Sequence, residues 1–371
     1  MSKKLSIKKG KEQSIRRFHP WIFSGAIEKM DKGVRDGDRV EVRDHEGQFL
    51  AVGHYQKTSI AVRIFSFAPI DNIAEFWQEK LQNAYAFRQI LGLTDHPETD
   101  CYRLVHAEGD GLPGLIIDIY GSVAVVQCHS IGMYQTKDHL AKALQQIYGD
   151  QLTAIYSKSK ATLPTGFAEI VEDDYLMNSA AESPCPIVVK ENGHQFEVNW
   201  EEGQKTGFFL DQRDNRQHMA AFAKGKKVLN AFSYSGGFSI YALAAGATEV
   251  HSVDISAKAT ALADRNAELN NTFTGTHKTI TQDVMQYLKE TTESYDLMIV
   301  DPPAFAKSIK KRHKAVQAYK RLNALAMKKI KPGGILSTYS CSQVVDQPLF
   351  YNTITAAAIE AGRKVRVLQQ L

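Results

Sequence analysis

The chain has 371 residues, more than one ordinary core supports, so two or three domains are expected. Its 43% apolar and 23% charged residues are a globular composition, and no apolar run approaches the roughly 20 residues a membrane helix needs. The formal net charge is +4, yet residues 302–345 hold ten Lys/Arg and no Asp or Glu, leaving 35 basic and 41 acidic residues elsewhere.

The first 17 residues hold seven basic residues and one acidic residue, a second basic island. One Lys/Arg run is more often a solvated helix face than a binding surface. Two islands in an otherwise acidic chain point to a polyanion, and to nucleic acid first. No apolar segment follows the basic N-terminus, so it is not a secretory signal. Cys101, Cys128, Cys185 and Cys341 lie far apart with no C-x-x-C pair. That spacing argues against a disulfide framework or a zinc site, and it suits a reducing cytosol, so a cytoplasmic location is expected.

Residues 1–67 read as short strands and turns: DRVEVRD and QFLAVGHY alternate around the turn at 45–47, and IAVRIFSF follows. A small β-barrel or curled sheet is expected over 1–70. Residues 71–93 carry apolar residues at helical spacing, with Asp71 as the candidate cap. Strands LIIDIY and SVAVVQC and a helix at 133–149 place an α/β unit over 71–185. Residues 186–200 read as a hairpin turning at Asn192-Gly193. Strands and helices then alternate. Strands are expected at 227–232, 249–254, 277–283, 295–300, 334–340 and 364–369. Helices are expected at 211–223, 237–245, 256–270, 284–290, 313–330 and 346–361. Strands separated by helices imply a doubly wound parallel sheet over 186–371, with ligands at the carboxyl ends of the strands.

Four strand ends carry chemistry. NAFSYSGGFS, 230–239, sets Gly236-Gly237 between a strand and a helix, where backbone approaches a ligand closely. There is no G-x-G-x-x-G. Asp254 ends the second strand and can accept from both ribose hydroxyls of an adenosine ligand. Asp283 ends the third, where it can accept from an adenine amino group. Asp301 follows the fourth, in DPPAF. Each feature alone is commonly a turn or a helix cap. Together they favour adenosine, and the missing pyrophosphate loop favours S-adenosyl-L-methionine over NAD.

DPPAF resembles motif IV of class I methyltransferases. Its two prolines fix the backbone and leave rigid carbonyls. Such carbonyls can hold an exocyclic NH2, so N-methylation of a purine or cytosine competes. Cys341, in SCS after the fifth strand, points the other way. C5 of cytosine becomes nucleophilic only after a thiolate adds to C6, so C5 methylation needs a cysteine beside the base and a nearby carboxylate. Cys101, Cys128 and Cys185 read as small buried apolar residues.

The sequence is similar to the PUA-domain family of large-subunit rRNA cytosine-C5 methyltransferases. The similarity rests on HPWIFSGAI (19–27), RLVHAEGDGLPGLIIDIYG (103–121), GQKTGFFLDQRDNR (203–216), LNAFSYSGGFS (229–239), SVD (252–254), DPPAF (301–305) and SCS (340–342), and it covers nearly the whole chain. It implies a PUA-type barrel at 1–70, a central α/β domain at 71–185 and a Rossmann-like methyltransferase domain at 186–371. It also implies 5-methylcytosine formation in 23S rRNA, with Cys341 as nucleophile and Asp301 beside it. Ala304 stands where other RNA cytosine methyltransferases carry a second cysteine. YSKS at 156–159 replaces a Glu-Arg-containing stretch. Relatives continue past VLQQL through a His-Pro segment to a last antiparallel strand that closes the sheet.

The expected cofactor residues are Asn230, Phe232, Ser233, Gly236, Asp254, Asp283 and Asp301, with Gln212 or Arg213 reaching the cofactor carboxylate. Phe208 or Phe209 could cover it, although core packing is the commoner role of such pairs, and Asp211 suits a helix N-cap. The expected RNA contacts are Lys8, Lys9, Arg16, Arg17, Lys310, Lys311 and Arg312, which would supply affinity rather than sequence readout. The expected partner is large-subunit ribosomal RNA, with no metal and no membrane, and a homodimer stays open. An RNA N-methyltransferase, or an inactive nucleic-acid-binding relative, are the alternatives.

Overall fold

The computed structural model describes residues 3–180 and 182–370. The chain forms two compact units. The first holds residues up to Asn192 together with Val198–Leu210, and the second holds Gly193–Glu197 and everything from Asp211 onward.

The first unit begins with β1 (Lys3–Ile7), α1 (Gln13–Arg16), β2 (Trp21–Phe23), β3 (Ile27–Met30), β4 (Arg39–Arg43), β5 (Phe49–Tyr55) and β6 (Ile60–Ser66). These strands make one mixed sheet in the order β2-β6-β5-β4-β1-β3. The alternation in β4 buries Val40 and Val42 and leaves Arg39 exposed and Glu41 half-buried. Helix α2 (Ile73–Ile90) follows. Its cap is Asn72, one residue beyond the expected Asp71, and the Asn72 side chain accepts from Ala74 N at 3.0 Å. Adjacent Asx residues offer the same acceptor, and only the backbone entering the helix selects between them.

Next come β7 (Cys101–His106), β8 (Leu115–Tyr120), β9 (Val123–Cys128), α3 (Ile131–Gln135), α4 (Lys137–Tyr148), β10 (Ala154–Ser157), α5 (Thr165–Ala168) and β11 (Asp174–Asn178). The second sheet has the order β11-β10-β9-β8-β7. The helix expected at 133–149 is thus two, joined at Thr136. Trp77 and Leu81 of α2 share one core with Val52 and Phe65 of the first sheet and with Leu104, Leu115, Ile117 and Val126 of the second. Strands β12 (Ile187–Glu191) and β13 (His194–Val198) flank the Asn192-Gly193 turn.

The second unit runs α6 (Arg213–Ala220), β14 (Lys227–Ala231), α7 (Gly237–Ala244), β15 (Glu249–Asp254), α8 (Ala257–Leu269), β16 (Thr276–Thr281), α9 (Val284–Glu290), β17 (Tyr295–Val300), α10 (Arg312–Lys329), β18 (Ile330–Thr338) and α11 (Gln347–Ala361). Its sheet order is β16-β15-β14-β17-β18, with every neighbouring pair parallel. Helices cover the sheet, so central strands carry continuous apolar runs: Leu297, Met298, Ile299 and Val300 of β17 are all buried.

Three expectations change here. Residues 364–369 alternate like a strand but pair with none among the described residues, and Val365, Val367 and Leu368 are exposed. Alternation without a neighbouring ladder leaves the backbone polar groups to water, so no strand forms. The third strand ends at Thr281, not at 283. Asp211 lies in a 3-10 turn, and the cap position of α6 falls to Gln212, whose side chain makes no capping bond.

Candidate active site

The turn after β14 is tightly specified. Phe232, Tyr234 and Gly236 have φ of +62°, +45° and +73°. Two bulky residues in the left-handed region are costly, and such strain concentrates where backbone is shaped for a ligand. The amides of Phe232 and Ser233 donate to Val253 O at 2.9 and 3.1 Å, and that of Gly236 to Ser233 O at 2.8 Å. A Cβ on Gly236 would lie 2.9 Å from that of Ala263 in α8, so the turn sits directly on this helix. Three residues on, Asn266 is fully buried and donates to Ser235 O at 2.8 Å, while its Oδ1 accepts from Glu197 N at 2.8 Å. One helical turn further, Asn270 grips both backbone groups of Gln195, at 2.9 and 2.7 Å. Sequence reasoning missed Asn266, because an Asn within an amphipathic helix reads as solvated face.

Gly236→Ala therefore combines a left-handed backbone with a steric contact. Gly225 (φ +70°) has open space around its missing Cβ and isolates the backbone part. Gly225→Ala should cost about 1 kcal/mol, and Gly236→Ala about 1–3 kcal/mol more. Equal losses in denaturant unfolding would show that the Ala263 contact relaxes freely.

Asp254 ends β15, and its two carboxylate oxygens accept from Tyr234 N at 3.0 Å and Ser256 N at 2.9 Å. It therefore braces the strained turn, and each oxygen keeps a lone pair for a ligand. Ser233 Oγ is buried and has no hydrogen-bond partner among the described residues. A buried hydroxyl left unmatched at such a turn fits a polar ligand atom. Asp283 is exposed and caps α9, accepting from Gln286 N at 2.9 Å. Asn230 is buried, and its amide donates to Ser239 Oγ at 2.9 Å. This starts a polar chain through Ser252 to His277, in which burial lowers the His277 pKa. Asn230 is thus built into the support behind the turn.

The fourth and fifth strand ends are adjacent, with Val300 opposite Thr338 and Tyr339 N donating to Val300 O at 3.0 Å. Asp301 accepts from Gln212 Nε2 at 2.9 Å, and Asn215 donates to Gln212 Oε1 at 2.7 Å. Gln212 is thus engaged at both ends and orients Asp301. Arg213, the first residue of α6, is half-buried. Cys341 is exposed, and its Sγ lies 3.6 Å from Pro302 O of the Asp-Pro-Pro turn. Buried Ser342 ties the same two loops together through Ala306 N at 3.5 Å and reaches α10 through Tyr319 OH at 3.0 Å. Burial pushes the Tyr339 phenol up to about 12.

Cys101 and Cys128 are fully buried, and burial pushes the Cys128 thiol up to about 12. Phe208 is 1% exposed in the first unit, where core packing is its role, and Phe209 lies under the Lys205 ammonium at 4.3 Å. Thr206, in the same segment, donates to buried Asp118 at 2.6 Å, and Arg103 bonds both Asp118 oxygens. Lys158 of YSKS donates to Trp200 O and to Gly203 O, the latter at 2.5 Å.

Of the basic residues, Lys310, Lys311 and Arg312 stand exposed where α10 begins, as do Lys9 and Arg17 in the first unit. Arg16 pairs with the buried Asp44 carboxylate at 2.9 Å, and Lys8 donates to Gly25 O at 2.9 Å. Both therefore have structural work of their own. Among the described residues no group of His, Cys, Asp and Glu could hold a metal ion, and no helix is long and apolar enough to cross a membrane.

A parallel sheet in this strand order, with a braced turn after β14 and a carboxylate at the end of β15, suits a nucleoside-containing cofactor, and the family match makes the class that of S-adenosylmethionine-dependent methyltransferases. The family described as "S-adenosylmethionine-dependent methyltransferase" matches residues 139–363, and "PUA-like domain" matches 5–67. Proteins called ribosomal RNA large subunit methyltransferase I resemble the chain over its whole length. Those from Aeromonas hydrophila and Pseudoalteromonas atlantica are 39% and 38% identical, covering 94% and 93% of the relatives. The one from Escherichia coli O157:H7 is 36% identical and 93% covered. A solved SAM-dependent methyltransferase from Streptococcus mutans shares the fold, with TM-score 0.79 at 24% identity over 96% of this chain and 90% of that one. The chain belongs to the ribosomal RNA large subunit methyltransferase I family.

Proposed function

We propose that the chain forms 5-methylcytosine in large-subunit ribosomal RNA, with Cys341 as the nucleophile. The observation that carries this reading is the exposed Cys341 thiol, 3.6 Å from Pro302 O, on the loop beside Asp301. The relatives' name supplies the RNA, and the exposed cations at 310–312 suit its phosphates.

The cofactor, when bound, supplies an electrophilic methyl group on a sulfonium. Asp254 accepts from its ribose hydroxyls, Ser233 Oγ meets one of its polar atoms, and Gly236 admits it close to the backbone. Asp283 keeps one carboxylate oxygen for the adenine amino group, and Arg213 serves the cofactor carboxylate. The Cys341 thiolate adds to C6 of a flipped cytosine, and the C5–C6 π electrons make C5 nucleophilic. Asp301, protonated, donates to N3 as negative charge develops there. After C5 is methylated, a base removes H5, the C5–C6 double bond reforms and the thiolate leaves.

Incubation with cofactor and unmodified large-subunit rRNA, followed by nucleoside mass spectrometry, should yield 5-methylcytidine. A methylated guanosine or adenosine in its place would establish an N-methyltransferase, with Cys341 a bystander.

A further inference from the structure

The first unit contains a cavity of about 500 Å³, lined by Phe18, Pro20, Phe65, Phe67, Lys80 and Glu108 among others. That volume is in the range of small-ligand sites. Phe18 at its wall is doubly unusual. It is 70% exposed and its φ is +62°. Exposure forgoes the burial of a large apolar side chain, and the left-handed backbone adds strain. Its ring meets Phe67 edge-on, with centroids 5.2 Å apart, so a face stays open.

The polar groups are equally specific. Glu108 Oε1 accepts from Trp21 Nε1 at 2.8 Å, which fixes the carboxylate and leaves Oε2 without a hydrogen bond among the described residues. Lys80 supplies a cation at the wall. Lys9, Lys11 and Arg17 stand exposed on the segment leading to Phe18. An aromatic face, a positioned acceptor and surrounding cations are what a single unstacked nucleotide needs: stacking, a base-edge contact and phosphate attraction.

We propose that this cavity binds one unpaired, amino-bearing nucleobase of the RNA, stacked on Phe18 with its exocyclic amino group donating to Glu108 Oε2. The proposal rests on the RNA reading above and adds a second contact, separate from the base that is methylated. Uracil has no exocyclic amino group, so the site selects against it.

The test is fluorescence anisotropy of the full chain with short labelled oligoadenylate and oligouridylate across a salt series. Phe18→Ala should weaken oligoadenylate binding by about five- to a hundredfold. The salt slope should stay unchanged, because stacking releases no counterions. Glu108→Gln still accepts from Trp21 and should shrink the preference for oligoadenylate over oligouridylate. Neutralising Lys310, Lys311 and Arg312 is the contrasting case and should make the slope shallower. Equal affinity for wild type and Phe18→Ala overturns the cavity alone, as does a slope that falls with the affinity. Absence of any RNA binding by the wild type overturns the RNA reading and the cavity together.

Discussion

Cys341→Ala should lower methyl transfer by several orders of magnitude while cofactor and RNA binding persist. The addition to C6 has no substitute among the neighbouring groups, because no other side chain at this strand end offers a sulfur nucleophile. Cys341 is exposed, so truncation to Ala leaves little cavity. RNA carrying 5-fluorocytidine at the target should trap the native protein, since fluorine does not leave as a proton does. The adduct should survive denaturing electrophoresis and map to the peptide containing Cys341. Near-native turnover by Cys341→Ala, or a trapped adduct elsewhere, removes the nucleophile assignment.

Asp254→Ala should weaken S-adenosylhomocysteine binding by roughly a hundredfold or more in calorimetry. Hydrogen bonds to a charged group contribute about 1.5–3 kcal/mol each, and two ribose hydroxyls are at stake. The same carboxylate holds Tyr234 N and Ser256 N, so its loss also releases the strained turn. Asp254→Asn keeps the shape and one acceptor and should weaken binding less than Ala does. Unchanged affinity in the Ala variant excludes Asp254 from the ribose contact.

Much of the second unit was legible because helix and strand periods alternate there. LMIV in β17 and EVHSVD in β15 fall where the pattern puts them, and with them Asp254 and the start of the Asp-Pro-Pro turn. What was not legible is of three kinds. Phe232 and Tyr234 adopt left-handed backbone without being glycine, and only the surrounding bonds enforce that. The buried roles of Asn230 and Asn266 depend on partners 9 and 31 residues away, which no local window contains. At 364–369 the alternation is present but the neighbouring ladder is not. Asp283 shows a fourth effect, since one residue can match both a ligand-contact pattern and a helix cap: one carboxylate oxygen caps α9, and the other is the one proposed for the adenine amino group.

The short segment Gly193–Glu197 belongs to the second unit, although the chain then returns to the first as far as Leu210. The two units are therefore interleaved along the polypeptide. A cut at 211, where the helix–strand alternation begins, would strip Asn266 and Asn270 of their bonds to Glu197 and Gln195. A buried amide oxygen left without its donor costs about 1–3 kcal/mol, and Asn266, whose Oδ1 would lose Glu197 N, is the residue that also holds Ser235 O. Gene fusion or recombination that transplants this catalytic fold would have to carry five residues from upstream of the first unit's return segment. Inheritance of the cofactor turn is thereby tied to sequence that no inspection of the Rossmann-like portion alone would include.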